Sequence, residues 1–232
     1  MLVLATVSSR PASAGILHIN RQDEIAVGRQ ASAQFEQKYP IITSGPQYDR
    51  VQRIARRIVA ATGCTDLPFT FKIANTPAIN AVTFPGGFIY VFRGLLDTGI
   101  DDDGLACVLG HECTHAVKSH AFKILLPMLT LQRDLRFLPQ RLKNNMASRV
   151  MTILMVRGVG RRFELEADRI GVGYAYHAGF DPRAMIRVLQ MFERMDRTNP
   201  SLMQELLATH PPPAVRIRAL EPVIARLLAS PR

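Results

Sequence analysis

Residues 111–115 read HECTH: two histidines four positions apart, with a glutamate directly after the first. On a helix each residue advances about 100°, so His111 and His115 lie about 40° apart, one turn from each other on one face. Two imidazoles so placed can share one cation. Glu112 flanks that face, within reach of a water on the ion without being a ligand itself. Zinc hydrolysis needs this set: Zn2+ brings the pKa of its water down to about 7, and a carboxylate takes the proton as that water attacks. The alternative is a pair of surface histidines on an ordinary helix.

The flanking sequence says what surrounds that stretch. Asp101-Asp102-Asp103 offers a cap and first-turn acids to a helix running through His111 to about His120. Upstream, FIYVF at 88–92 is aromatic and β-branched and follows the turn signal Pro85-Gly86-Gly87, so it reads as a strand, as does 68–73. Helices are expected over 23–38, 48–61, 162–178, from Asp181-Pro182, over 202–207, and after Pro211-Pro212-Pro213 to about Leu228. Many helices and few strands imply an α+β fold, mostly helical, with one small sheet beside the HECTH helix.

The chain has 232 residues, 47% of them hydrophobic, with no repeat and no long linker. Residues 23–232 therefore read as one domain. No apolar run approaches the roughly 20 residues of a membrane span. Residues 1–22 read either as a signal-like segment, with apolar 2–7 and Ala12-Ser13-Ala14 before Gly15, or as a disordered tail. The signal reading places the protein in the periplasm or outside the cell, either free or attached to a membrane. Cys64, Cys107 and Cys113 are odd in number and form no CxxC pair, which suits buried free thiols.

Zinc asks for a third protein ligand and an open position. No HxxGxxH pattern follows the motif, and His120, nine residues past His111, falls half a turn round a continuous helix and faces elsewhere. A carboxylate pair does follow, in FELEAD: Glu164 and Asp168 are four apart and share a helix face. Glu164 can bind the ion, and Asp168 can accept a hydrogen bond from the far nitrogen of a ligand histidine. Glu166 lies about 200° round from Glu164 and reads as solvated or ion-paired. The competing reading is an acidic face paired with Arg161, Arg162 or Arg169.

HECTH, the later ELEAD and the upstream NAVTFPGGFIYVFRGLL together resemble the gluzincin zinc metallopeptidases that include HtpX, the CAAX prenyl endoprotease and the BepA-like periplasmic proteases. DEIAVGRQA, AGFDP and THPPPAVRI extend the likeness from about Asp23 to Leu228. The resemblance implies a zincin-like peptidase domain holding one Zn2+ through His111, His115 and Glu164, with Glu112 as general base and acid and Asp168 behind a ligand. His210, in THPP, would correspond to a histidine near the zinc that stabilises the oxyanion or occupies the metal's fourth position and holds the enzyme latent. Arg216 would be a structural ion-pair partner. The turn and strand Gly86, Gly87, Phe88, Ile89 and Tyr90 would bind substrate, an extended polypeptide adding as a further strand. An interior strand without a ligand role is the other reading of the same residues. The membrane-spanning relatives differ from this chain in their several spans.

Between Phe122 and Phe163 there are nine basic residues and one acid. Interleaved with leucines and methionines, this segment can pack over the cleft as a lid or lie on an anionic membrane surface. Nucleic acid is disfavoured, since only three phenylalanines and no recognised motif accompany the charge. The function implied is a zinc endopeptidase acting on unfolded or misassembled proteins. The alternative is a chaperone or assembly factor with a latent or structural zinc.

Overall fold

A computed structural model describes residues 20–128 and 140–229. Helix α1 (Arg21–Lys38) starts at Asn20, whose side chain accepts the Asp23 N–H at 2.9 Å, and ends before Pro40. Strand β1 (Ile41–Ile42) leads to α2 (Pro46–Thr62), closed by Gly63 in the left-handed region. Strands β2 (Thr70–Ala74), β3 (Ala81–Phe84) and β4 (Phe88–Phe92) follow, then α3 (Arg93–Asp97), α4 (Asp102–Val117) and α5 (His120–Met128). The remainder is α6 (Gln140–Thr152), a π-helical turn (Ile153–Arg157), α7 (Arg161–His177), α8 (Ala184–Thr198), α9 (Pro200–Thr209) and α10 (Pro213–Ala229). This is the α+β, mostly helical fold expected. Among the described residues no helix is long and apolar enough to cross a membrane.

The four strands run in the order β1-β2-β4-β3. Strands β2 and β4 are parallel, from Thr70 beside Phe88 to Ala74 beside Phe92, while β3 and β4 are antiparallel, from Ala81 beside Val91 to Phe84 beside Phe88. The expectation that Phe88, Ile89 and Tyr90 form a substrate-binding edge is therefore corrected: β4 has neighbours on both sides, which use its backbone donors and acceptors. Gly86 and Gly87 make the tight β3–β4 turn, with φ of 81° and 84° that only glycine adopts without strain. Among the described residues, the free edge of the sheet near HECTH is β3.

Each face of the sheet is covered. Ile73, Ile89 and Val91 pack with α2 (Val51, Ile54, Ile58), α4 (Leu105, Leu109) and α8 (Val188, Leu189). Phe84, Tyr90 and Phe92 pack on the other side with Phe35 of α1, Phe122 and Leu125 of α5, and Met146 and Val150 of α6. The Tyr90 hydroxyl donates to Glu36, which also pairs with Lys72 at 2.7 Å. Phe122, Leu125, Met146, Val150 and Ile153 of the basic segment are thus buried and Ile124, Met151, Leu154 and Met155 partly buried, while Lys123, Arg149, Arg161 and Arg162 are exposed. The break near Pro139 and the signal-like stretch fall outside the described residues.

Helix α4 is buried on every side from Gly104 to Ala116, which is why it lacks the one-sided pattern of a surface helix. Asp101 caps it, accepting the Gly104 N–H at 2.7 Å, and Asp102 pairs with Arg50 at 2.6 Å and Arg53 at 2.8 Å. Cys107 and Cys113 are buried on it, whereas Cys64 is partly exposed, so the reading of three buried thiols holds for two. The helix stops at Val117, earlier than expected. Ser119 takes φ 52°, its hydroxyl donating to Glu24 at 2.8 Å and accepting from Arg21 at 2.9 Å, and His120 opens a new helix.

Candidate metal centre

Helices α4 and α7 make the most extensive helix–helix contact of the described fold, and two glycines set its closeness. A Cβ on Gly110 would stand 2.4 Å from the Gly171 carbonyl oxygen, and one on Gly171 would stand 2.5 Å from the His111 nitrogen. The backbones touch there. Contact at that point lays Glu164 and Asp168, in the first turns of α7, against His111 and His115 of α4.

The distances bring the motif residues to one point. His111 Nε2 lies 3.0 Å from His115 Nε2 and 3.4 Å from Glu164 Oε2, and His115 Nε2 lies 3.5 Å from Glu164 Oε1. Two ligand atoms on a tetrahedral zinc, each about 2.0–2.1 Å from the ion, stand about 3.3 Å apart. All three side chains are buried, and Glu164 Oε2 has no hydrogen-bond partner. An unpaired buried carboxylate oxygen is costly unless a cation or donor meets it. The donor set, two imidazoles and a carboxylate, is the one zinc takes, so these residues fit the ion.

Asp168 lies behind His111: Oδ1 is 2.9 Å from His111 Nδ1, while Arg216 donates Nη2 to Oδ1 at 2.7 Å and Nε to Oδ2 at 2.8 Å. Burial opposes the charge on Asp168, but Arg216 and then His111 outweigh it and hold the carboxyl below the usual range. Burial likewise opposes protonation of His111, yet Asp168 and Glu164 draw positive charge there strongly enough to hold it near pKa 10. That pull is what a divalent cation would satisfy. His115 goes the other way, pushed well below its ordinary pKa by burial.

His120 does not face elsewhere, as a continuous helix required. Its Nδ1 stands 3.0 Å from His115 Nδ1, its Nε2 is 3.6 Å from Glu166 Oε2, and burial pushes its pKa down to about 4. Glu166, read as solvated or ion-paired, is partly exposed opposite His120.

Glu112 is buried, and burial pushes its carboxyl up despite opposing contributions from His111 and Thr83. The Thr83 hydroxyl lies 2.6 Å from Glu112 Oε2 and 3.1 Å from its carbonyl oxygen. Sequence reasoning missed Thr83 altogether: a threonine in a strand carries no signal of its own. This contact ties the glutamate to the free edge strand. His210 ends α9 and reaches the centre, its Nε2 3.3 Å from Glu164 Oε2, and burial pushes its pKa down to about 4. Its Nδ1 is 2.8 Å from Thr209 Oγ1 and 3.2 Å from the Leu206 carbonyl oxygen.

A cavity of about 30 Å³ opens beside Glu112, with Ala81, Val82 and Thr83 of β3 on one side and Gly158 and Val159 on the other. Gly158, at φ 65°, packs so closely that a Cβ would lie 1.9 Å from the Thr209 carbonyl oxygen. Of the expected substrate residues, Gly86, Gly87, Phe88, Ile89 and Tyr90, none lines this cavity.

The profile of peptidase family M48 matches residues 46–224. Mitochondrial metalloendopeptidase OMA1 of Schizosaccharomyces pombe is 32% identical over 176 residues, covering 74% of this chain and 51% of that protein. Metalloendopeptidase OMA1, mitochondrial, of Homo sapiens is 31% identical over 183 residues, covering 72% of this chain and 34% of its own length. The beta-barrel assembly-enhancing protease of Yersinia pestis is 29% identical over 213 residues, covering 84% of this chain and 42% of its own. The chain spans about half or less of the length of these curated relatives.

Proposed function

The chain belongs to peptidase family M48, and we propose that it is a zinc-dependent endopeptidase that hydrolyses peptide bonds in unfolded or misassembled polypeptides. The observation that carries this reading is the convergence of His111 Nε2, His115 Nε2 and the Glu164 carboxylate at 3.0 to 3.5 Å around one point. A zinc ion held by these three would polarise a peptide carbonyl and acidify a water.

The chain's own residues supply the rest. With Thr83 donating to Oε2, Glu112 keeps Oε1 for the proton of the attacking water and later hands that proton to the leaving amine. Arg216 and Asp168 hold His111 in the tautomer that turns Nε2 inward. An extended polypeptide adds to the β3 edge, Ala81–Phe84, through backbone hydrogen bonds, which gives affinity with little demand on sequence. The cavity beside Glu112 has room for water and not for a peptide, so Gly158 and Val159 must draw back from β3 for substrate to enter.

His210 supports a resting state that favours a second reading, an assembly or binding factor with a latent zinc. A proton on Nδ1, shared with the Leu206 carbonyl, would leave Nε2 bare toward the centre, whereas the Thr209 hydroxyl donating to the same Nδ1 at 2.8 Å would put the proton on Nε2. A bare nitrogen there is a ligand, and it becomes an oxyanion donor only once it carries a proton.

Cleavage of unfolded casein separates the two readings. Wild-type protein cleaving it, a chelator stopping the cleavage and Glu112→Gln abolishing it is the result expected of an endopeptidase. No cleavage by wild type or by His210→Ala, together with zinc-independent suppression of aggregation, would replace that reading with the assembly factor.

A further inference from the structure

We propose that His120 is a positioning residue for the metal ligand His115, accepting its Nδ1–H and so fixing the tautomer that presents Nε2 to the ion, with Glu166 steadying the far side of His120. The inference rests on the reading of His115 as a zinc ligand and adds a support for it on the side away from the metal.

The argument starts from where the two nitrogens of His115 point. Nε2 is directed at His111 and Glu164, while Nδ1 points away and meets His120 Nδ1 at 3.0 Å. The rings meet nearly edge-on, at 79° with centroids 4.9 Å apart. One proton lies between two ring nitrogens. For His115 Nε2 to bind a cation, that proton must sit on His115 Nδ1, and His120 Nδ1 must be the acceptor. A neutral imidazole carries one N–H, so the proton of His120 is then on Nε2. That atom is buried, has no hydrogen-bond partner, and has Glu166 Oε2 3.6 Å away. Arg216–Asp168–His111 thus has a counterpart in Glu166–His120–His115: one ligand held by a buried carboxylate, the other by a buried neutral ring.

The local fold is shaped to make this contact. In an unbroken helix, five residues would carry His120 about 140° round from His115. The left-handed turn at Ser119, held by Glu24 and Arg21 of α1, swings the ring back beneath His115. There it is fully buried and packs on Phe163, centroids 4.7 Å apart, in the residue just before the ligand Glu164. The same ring therefore touches the helix of two ligands and the helix of the third.

The test is zinc affinity, measured on the full chain by competition with a fluorescent chelator. His120→Phe keeps ring volume and the contact with Phe163 but removes the acceptor, and zinc binding is expected to weaken about 10- to 100-fold. His120→Asn, whose side-chain oxygen can stand near the Nδ1 position, is expected to return affinity to within about threefold of wild type. His120→Phe binding zinc as tightly as wild type overturns the proposal. So does His120→Asn weakening binding as much as His120→Phe, since a packing role alone would do that. The wild-type protein gives a second measurement that no folding defect can obscure. Nitrogen-15 NMR of its zinc-loaded histidines is expected to place the His120 proton on Nε2 and the His115 proton on Nδ1, and a His120 proton on Nδ1 overturns the proposal. Wild type that takes up no zinc removes the endopeptidase reading itself. Tight wild-type binding left unchanged in His120→Phe removes only this inference.

Discussion

The floor and the wall of the cleft meet at the same site but are held by different physics. The floor is α4 against α7, with backbones touching at Gly110 and Gly171 and the buried Asp168–Arg216 pair locked behind His111. The wall is the β3 edge on one side and Gly158, Val159 and the His210 corner on the other, joined to the floor through a hydroxyl contact, Thr83 to Glu112. The floor has no slack, because close-packed backbone leaves nothing to yield. On the proposed function, the wall has to admit a polypeptide. Metal affinity and turnover should therefore be written in different residues, and variants on the two sides separate them.

The largest effect is expected at Glu112, where floor and wall meet. Glu112→Gln should lower peptide cleavage by about 10²- to 10⁴-fold while zinc content stays at the wild-type level, checked by single-turnover assay and metal analysis. On the floor, Asp168→Asn should weaken zinc binding about 10- to 100-fold, read by chelator competition, because it removes the charge that draws on His111. Gly171→Ala would force apart backbones already in contact. Thermal unfolding should show a loss of about 1–3 kcal/mol, accompanied by weaker zinc binding. The smallest effect is expected on the wall: Thr83→Val should leave zinc binding unchanged and lower turnover by roughly five- to tenfold, the net worth of about one ordinary hydrogen bond, ~1 kcal/mol. A Thr83→Val variant that loses zinc, or an Asp168→Asn variant that keeps it and loses only turnover, would erase the distinction between floor and wall.

These residues differ in how visible they are in the sequence. HECTH and the Glu164–Asp168 pair can be read directly, because helical periodicity alone puts each pair on one face. Their meeting cannot, since it depends on Gly110 and Gly171, and a glycine in a helix does not announce which backbone it touches. The position of His120 is hidden for a local reason: a rotation count holds only along an unbroken helix, and the left-handed residue that breaks this one is a serine, with no glycine or proline to mark the spot. The strand 88–92 was legible to the residue, but its place in the sheet was not. Strand order follows from partners distant in the chain, so the more apolar β4 took the interior and the less conspicuous β3 the edge. The buried half of the basic segment follows the same logic, its apolar residues finding α1 and the second face of the sheet.

Zinc content of the purified full chain, wild type against Glu164→Ala, tests most directly whether His111, His115 and Glu164 hold one ion. One zinc per wild-type chain, falling to below about a tenth of that in the variant after dialysis against a mild chelator, is the expected result. A Glu164→Ala protein that folds and still carries one tightly held zinc would contradict it.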